Sequence, residues 1–197
     1  MIGENRPVTI YISAASDLMA EREALARMIA TLPVTLAWNV VQTPISQGEA
    51  FNREILPSAD LHILVMGSDI RAPVGLEWHI IRRAGRPSVP FLKRGVPRTP
   101  AGQIFIQDAG VNWRTFSDAA DLSRQVQRTL AEHFIGHAAR YALSPAELEG
   151  LQALLASDAP AEGPGRGQEA GHSAVILSRE RYEPRDGVIV DPPTGRA

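Results

Sequence analysis

Glu77 is the lone carboxylate in VGLEWHIIRRAGRP, residues 74–87, a segment whose apolar spacing predicts an amphipathic helix. A carboxylate at that place has two uses. Near the start of a helix, the positive end of the macrodipole stabilises negative charge by about 0.3–1 kcal/mol. Alternatively it faces a ligand, because this helix follows an apolar strand by one loop, and ligands of α/β sheets bind beyond the carboxyl ends of the strands. Spacing alone leaves both open. A second grouping is ISAASD, residues 12–17, which brings small side chains and backbone N–H groups to a helix N-terminus. That is a natural cradle for an anion, and simple helix capping by Asp17 explains it equally well.

Other chemistry-bearing types point less far. The chain has no cysteine, which excludes disulfides, thiolate metal sites and cysteine nucleophiles. No G-x-x-x-x-G-K-[ST], H-E-x-x-H or G-x-S-x-G occurs, and Gly165-Arg-Gly167 lacks the preceding strand that a dinucleotide fingerprint needs. His133 and His137 have a helical chelate spacing, but no third ligand accompanies them, so packing or surface roles are expected and no metal site is predicted. His62, in an apolar strand, and His79 are expected to be hydrogen-bonded structural residues. Residues 78–107 hold Arg82, Arg83, Arg86, Lys93, Arg94 and Arg98 and no acidic side chain. That cluster suits a phosphate-binding patch or an inter-subunit face, with a solvated surface as the default.

The elements that must position these groups follow from periodicity. Residues 8–13, VTIYIS, predict a central strand, and LMAEREALARMIATL a helix with Leu18, Leu25, Met28, Ile29 and Leu32 on one face, ended by Pro33. Residues 34–41 predict a second strand, 48–56 a short helix stopped by Pro57, and 60–66 a strand apolar almost throughout, as in a parallel strand covered on both faces. After the GSDIRAP loop comes the Glu77 helix, ending at Gly85. Residues 88–92 predict a strand whose internal proline suggests edge or irregular placement. Residues 95–103 predict a loop, 104–107 a fifth strand, 118–137 a long helix, and 144–155 a last helix capped by Ser144. Strands alternating with helices imply an α/β fold with a mainly parallel sheet of about five strands.

Composition divides the chain into a domain over residues 1–156, a Gly/Pro/Ala-rich linker over 157–172, and a segment over 173–197 that suits a hairpin extension or the start of a downstream domain. The net charge of −2 gives no global attraction to nucleic acid or anionic lipid. No secretory leader and no apolar run of membrane-spanning length is visible, which fits a cytoplasmic protein.

Three stretches together carry a resemblance: YISAASDLMAEREAL, SADLHILVMGSDIRAPVGLEWHIIRRAGRPSVPFLKRG and VNWRTFSDAADLSRQVQRTLAEHF. They resemble the DUF4062 family, TIR-like domains commonly found at the N-terminus of bacterial multidomain proteins. The opening pattern is met by Ser13, Ser16, Asp17, Leu18, Glu21, Arg22 and Glu23. The middle pattern is met by Asp60, Gly67, Glu77, Gly85, Arg86 and Pro87. The match spans roughly residues 8–136. It departs where the family has Tyr-Gly after the strand-three glycine and paired serines after strand one; here those stretches read GSDIRAP and SAAS.

The resemblance implies a flavodoxin-like, TIR-like three-layer fold with a C-terminal extension. In TIR domains and the similar nucleoside deoxyribosyltransferases, a glutamate on the helix after the third strand works at the ribose of an N-glycoside, which casts Glu77 as the catalytic group. Ser13, Ala14, Ser16, Asp17, Gly67 and Ser68 would then bind substrate, with Arg71 as a charged partner for a diphosphate. NAD⁺ would be substrate rather than cofactor, cleaved by a signalling or immunity effector that becomes active on forming a homo-oligomer. Other TIR-like domains only assemble signalling complexes, so a non-catalytic interaction module is the alternative, and a smaller-substrate nucleoside N-ribosyltransferase a third. Trp78 is expected in packing.

Overall fold

The computed structural model describes residues 7–45, 51 and 53–157. Residues 158–172 of the expected linker, the hairpin-like extension and residues 48–50 and 52 of the helix expected over 48–56 lie outside the described residues; residues 53–55 of that expected helix are turn.

The first strand, β1 (Val8–Ala14), is wholly buried and alternates sharply in chemistry. Val8, Ile10, Ile12 and Ala14 point to one face, and Thr9, Tyr11 and Ser13 to the other. A 3₁₀ turn over Ser16–Leu18 leads into α1 (Met19–Ala30). Then come β2 (Trp38–Gln42), β3 (Leu61–Met66), α2 (Ala72–Arg83), β4 (Ser88–Lys93), α3 (Pro100–Asp108), β5 (Arg114–Phe116), α4 (Ala119–Gly136), the single turn α5 (Ala138–Tyr141) and α6 (Pro145–Ser157).

All strand pairs are parallel and the order is β2-β1-β3-β4-β5, the flavodoxin-like arrangement, so the α/β expectation holds. Helices cover both faces, giving three layers. On one face the apolar row of β1 joins Ile63 and Val65 of β3 in packing against Leu25 and Ile29 of α1, Leu122, Val126, Leu130 and Phe134 of α4, and Leu151 of α6. Each such large side chain contributes about 1.5–3 kcal/mol by leaving water. On the other face, Leu64 packs with Val74 and Trp78 of α2, while Tyr11 packs with Ile81 and Leu56. The hydroxyl row of β1 therefore lies beneath α2.

Several elements differ from the sequence expectation. The second strand begins at Trp38 rather than 34, because the N–H and hydroxyl of Thr35 both donate to Glu147 Oε1 instead of to a ladder. Glu147 is also the far half of a capping box: its Oε2 accepts from the N–H and hydroxyl of Ser144, whose own Oγ caps Glu147 N–H. Pro57 does not end a helix; it sits inside a 3₁₀ turn over Leu56–Ser58.

Pro90 is not on an edge strand, since β4 has β3 on one side and β5 on the other. The pairing with β5 starts only at Phe91, so the N–H that proline lacks falls before that ladder begins. Residues 104–107 are helix, not strand. Thr99 caps Gly102 N–H and Pro100 opens the first turn, a helix start that outweighs the β propensity of Ile104, Phe105 and Ile106. The fifth strand lies further on, at Arg114–Phe116.

Candidate functional site

Glu77 is in the second turn of α2, not the first, because the helix opens at Ala72, with Arg71 as cap residue and Pro73 in the first turn. The macrodipole falls off within one turn, so helix capping does not account for this carboxylate. Nor does solvation: Glu77 is 0% exposed. Its partners are hydroxyls. Tyr11 donates to Oε1 at 2.7 Å, and Ser13 and Thr43 donate to Oε2, each at 2.6 Å. Tyr11 and Ser13 come from the polar row of β1, and Thr43 follows the last residue of β2. One acid thus ties α2 to two strands at their carboxyl ends.

The positive charge nearest in effect is Arg22 of α1, itself buried. Its guanidinium donates to the carbonyls of Ala14 (2.8 Å) and Thr43 (2.6 Å) and to Gln42 Oε1 (3.0 Å). It therefore clamps the ends of β1 and β2 together.

Burial dominates the acidity of Glu77 and pushes its pKa above the ordinary value, while the three hydroxyls and Arg22 pull it back. The network accommodates either state. When Glu77 is ionised, three donors face it. When it is protonated, its own O–H turns to Thr43 Oγ1, and the Thr43 hydroxyl swings to the Ile12 carbonyl, 3.5 Å away. Burial also raises Tyr11, as do its bond to Glu77 and the charge there, so the phenol stays protonated.

His62 of β3 adjoins this group. Its Nε2 lies 2.8 Å from Ser13 Oγ and its Nδ1 2.8 Å from Ser88 Oγ. Ser13 has one hydroxyl hydrogen, given to Glu77, so its oxygen accepts from Nε2–H and Nδ1 accepts from Ser88. Burial lowers the His62 pKa to about 3, and the ring is neutral near neutrality. Between pH 6.5 and 3 the unfolded chain then binds a proton here that the folded chain refuses. Stability is therefore lost as pH falls through that window, at up to about 1.4 kcal/mol per pH unit. His62→Gln should flatten this acid limb, so that its urea-unfolding free energy converges on the wild-type value between pH 7 and pH 4.

A second, exposed group of polar side chains lies around the carboxyl ends of β1 and β3. Arg71 Nη1 donates to Ser16 Oγ at 2.9 Å. Asp17 does not cap α1; its Oδ2 accepts from Ser68 N–H (3.1 Å) and Ser68 Oγ (2.6 Å). Gly67 allows this approach, because a Cβ there would stand 2.7 Å from Asp17 Oδ2 and 3.2 Å from Leu18 Cδ2. Gly67→Ala should cost about 1–3 kcal/mol in a thermal melt. Most of that loss should be absent when Asp17→Ala is already in place, a non-additivity expected of residues in contact.

The structure thus splits the predicted set. Ser13 meets Glu77 directly. Ala14 is buried and serves through its carbonyl to Arg22. Ser16, Asp17, Gly67, Ser68 and Arg71 gather on the rim, where Asp17, Ser16, Ser68 and Arg71 engage one another rather than Glu77. Tyr11, Thr43, Arg22 and His62 were not predicted for the site. The signal for Tyr11 was the hydroxyl alternation of Thr9, Tyr11 and Ser13; no local signal marks Thr43.

Much of the basic cluster is used internally: Arg82 lies over the Trp78 ring, Arg86 donates to the Pro57 carbonyl, Lys93 pairs with Glu21 at 2.7 Å, and Arg98 donates to the Lys93 carbonyl. His133 meets the Tyr141 hydroxyl and His137 Nδ1 the His133 carbonyl. No group of three or more metal-binding side chains occurs among the described residues, and no helix there is long and apolar enough to cross a membrane. In comparisons with known proteins, no family model matches the chain, and no curated protein matches it.

Proposed function

We propose that this chain is a TIR-like, DUF4062-type nucleotide N-ribosyl hydrolase, working in the cytoplasm on NAD⁺ or a related nucleotide, with Glu77 as the group that acts at the ribose. The observation that carries the proposal is position. The strand order puts the topological switch point between β1 and β3, where nucleotides bind in flavodoxin-like sheets. The loops leaving those two strands hold Ser16, Asp17, Ser68 and Arg71 at the rim, and Glu77 lies on the helix that follows, bonded to Ser13 of β1.

The chemistry suits a buried acid. Breaking a ribosyl C–N bond develops positive charge on the anomeric carbon, and a carboxylate in low-dielectric surroundings stabilises that charge strongly. Nicotinamide leaves as a neutral base, so no strong general acid is required. In this reading Arg71 pairs with a diphosphate, and the Ser16 hydroxyl, which accepts from Arg71, has its own hydrogen to donate to it. Since Glu77 is sealed here, substrate must displace what covers it, and self-association is the proposed trigger. The test is to incubate concentrated protein with NAD⁺ and follow nicotinamide release as a function of protein concentration. Release rising more steeply than in proportion to protein is the expected outcome; none at any concentration would refute it.

A second reading is favoured by one observation, the complete burial of Glu77 with both oxygens already bonded. In that reading the acid braces β1, β2 and α2 in a non-catalytic interaction module. It predicts a defined assembly or partner and no turnover of NAD⁺ in any oligomeric state.

A further inference from the structure

Glu77 has no exposure, yet its two protonation states are both accommodated, which raises the question of how a proton reaches it. The hydrogen bonds give a continuous path. Ser88 opens β4 at the amino end of the sheet and is only half-buried. Its Oγ is 2.8 Å from His62 Nδ1, His62 Nε2 is 2.8 Å from Ser13 Oγ, and Ser13 donates to Glu77 Oε2 at 2.6 Å. The chain crosses β4, β3 and β1 and ends on α2. The register fixes it: His62 pairs with Ser88 across β3 and β4, and with Tyr11 across β1 and β3, two residues before Ser13.

We propose that Ser88, His62 and Ser13 form a proton relay that connects the Glu77 carboxyl to the amino edge of the sheet, away from the rim. Its proton balance is closed. Solvent gives a proton to Ser88 Oγ as the Ser88 hydroxyl hydrogen passes to His62 Nδ1. The Nε2 hydrogen then passes to Ser13 Oγ, and the Ser13 hydrogen to Glu77 Oε2. One proton enters, one carboxylate becomes a carboxylic acid, and His62 changes tautomer without net gain. The reverse order releases the proton. A histidine bonded at both nitrogens is suited to this, because each ring nitrogen exchanges donor and acceptor roles.

The groups facing the relay keep it neutral. Tyr11 and Trp78 flank the His62 ring, at 6.2 and 6.3 Å between centroids, and Arg22 supplies the charge that faces Glu77 from α1. His62 is a positioning and conducting residue here, since it acts on Glu77 through Ser13. The relay serves the acid of the proposed reaction but does not need that reaction: it requires only that Glu77 take up and release a proton.

The test follows Glu77 itself in the full chain. After a pH jump, the carbonyl stretch of the protonated carboxyl is followed by infrared spectroscopy, assigned as the band absent from Glu77→Gln. His62→Gln keeps a donor and an acceptor but conducts no proton. It should slow the rise of the band by at least about a hundredfold, the lower end of what a positioned proton-transfer group contributes. Ser88→Ala, which removes the entrance at a half-buried position, should slow it comparably and covers the case in which the His62 variant fails to fold. Unchanged rates in the folded variants, or no titrating band in the wild type, would overturn the relay. Nicotinamide release, measured separately, reports on the hydrolase and not on this path.

Discussion

Glu77→Gln should lower nicotinamide release from NAD⁺ by at least about a hundredfold, the scale lost when one preorganised transition-state group is removed, with little change in the unfolding midpoint. The two halves of this expectation come from the same geometry. Glutamine has the size of the protonated acid, and with its oxygen in the Oε1 place it still accepts from Tyr11. Its amide N–H groups then face Ser13 and Thr43, which have His62 Nε2 and the Ile12 carbonyl as second acceptors. Stability should therefore shift by no more than about 2 kcal/mol, the net scale of two rearranged hydrogen bonds. Charge is another matter. The amide has no negative charge to set against an oxocarbenium-like carbon, so the loss should appear in kcat rather than KM. Full activity in the variant would remove Glu77 from the chemistry. A large fall in stability with no turnover in either protein would favour the bracing role.

The largest effect on stability should come from Arg22. Arg22→Met retains much of the volume but withdraws the donors to Ala14, Gln42 and Thr43 and strips Glu77 of its facing charge. Removing one member of a buried charge pair costs roughly 3–5 kcal/mol, a large part of the 5–15 kcal/mol typical of a folded domain. The loss should depend on pH. Glu77 has a raised pKa in the fold, so the folded chain holds a proton at pH values where the unfolded chain has released it. Its contribution is therefore present at low pH and declines as pH rises through the folded value. Without Arg22 that folded value rises further, so the decline continues to higher pH and its total is larger. Urea unfolding of Arg22→Met at acidic and neutral pH should show the smaller penalty on the acidic side. The double variant with Glu77→Gln should lose less than the sum of the two single changes.

The layers of the fold were legible because strong periods dominate them: the apolar strand at 61–66, the 3.6-residue pattern of α4, and the capping residue Ser144 all lie where the pattern puts them. What escaped was decided by local caps or distant partners. Thr99 and Pro100 turn a β-rich run into α3, and Glu147, 112 residues away in sequence, takes the N–H that would have let β2 start earlier. The site divided the same way. Glu77 and Ser13 were visible as types in suggestive places. The joining of Tyr11, Thr43 and Arg22 around that acid is a product of strand order, which no short window contains.

The alternation along β1 has a further consequence, for folding fidelity. A one-residue slip of that strand would press Thr9, Tyr11 and Ser13 into the aliphatic layer of Leu25, Ile29 and Phe134 and leave Ile10 and Ile12 opposite a carboxylate. Both errors are costly at once, so mis-threaded forms of the central strand are rejected from two sides, and the carboxylate acts as a proofreader of the assembly of the sheet.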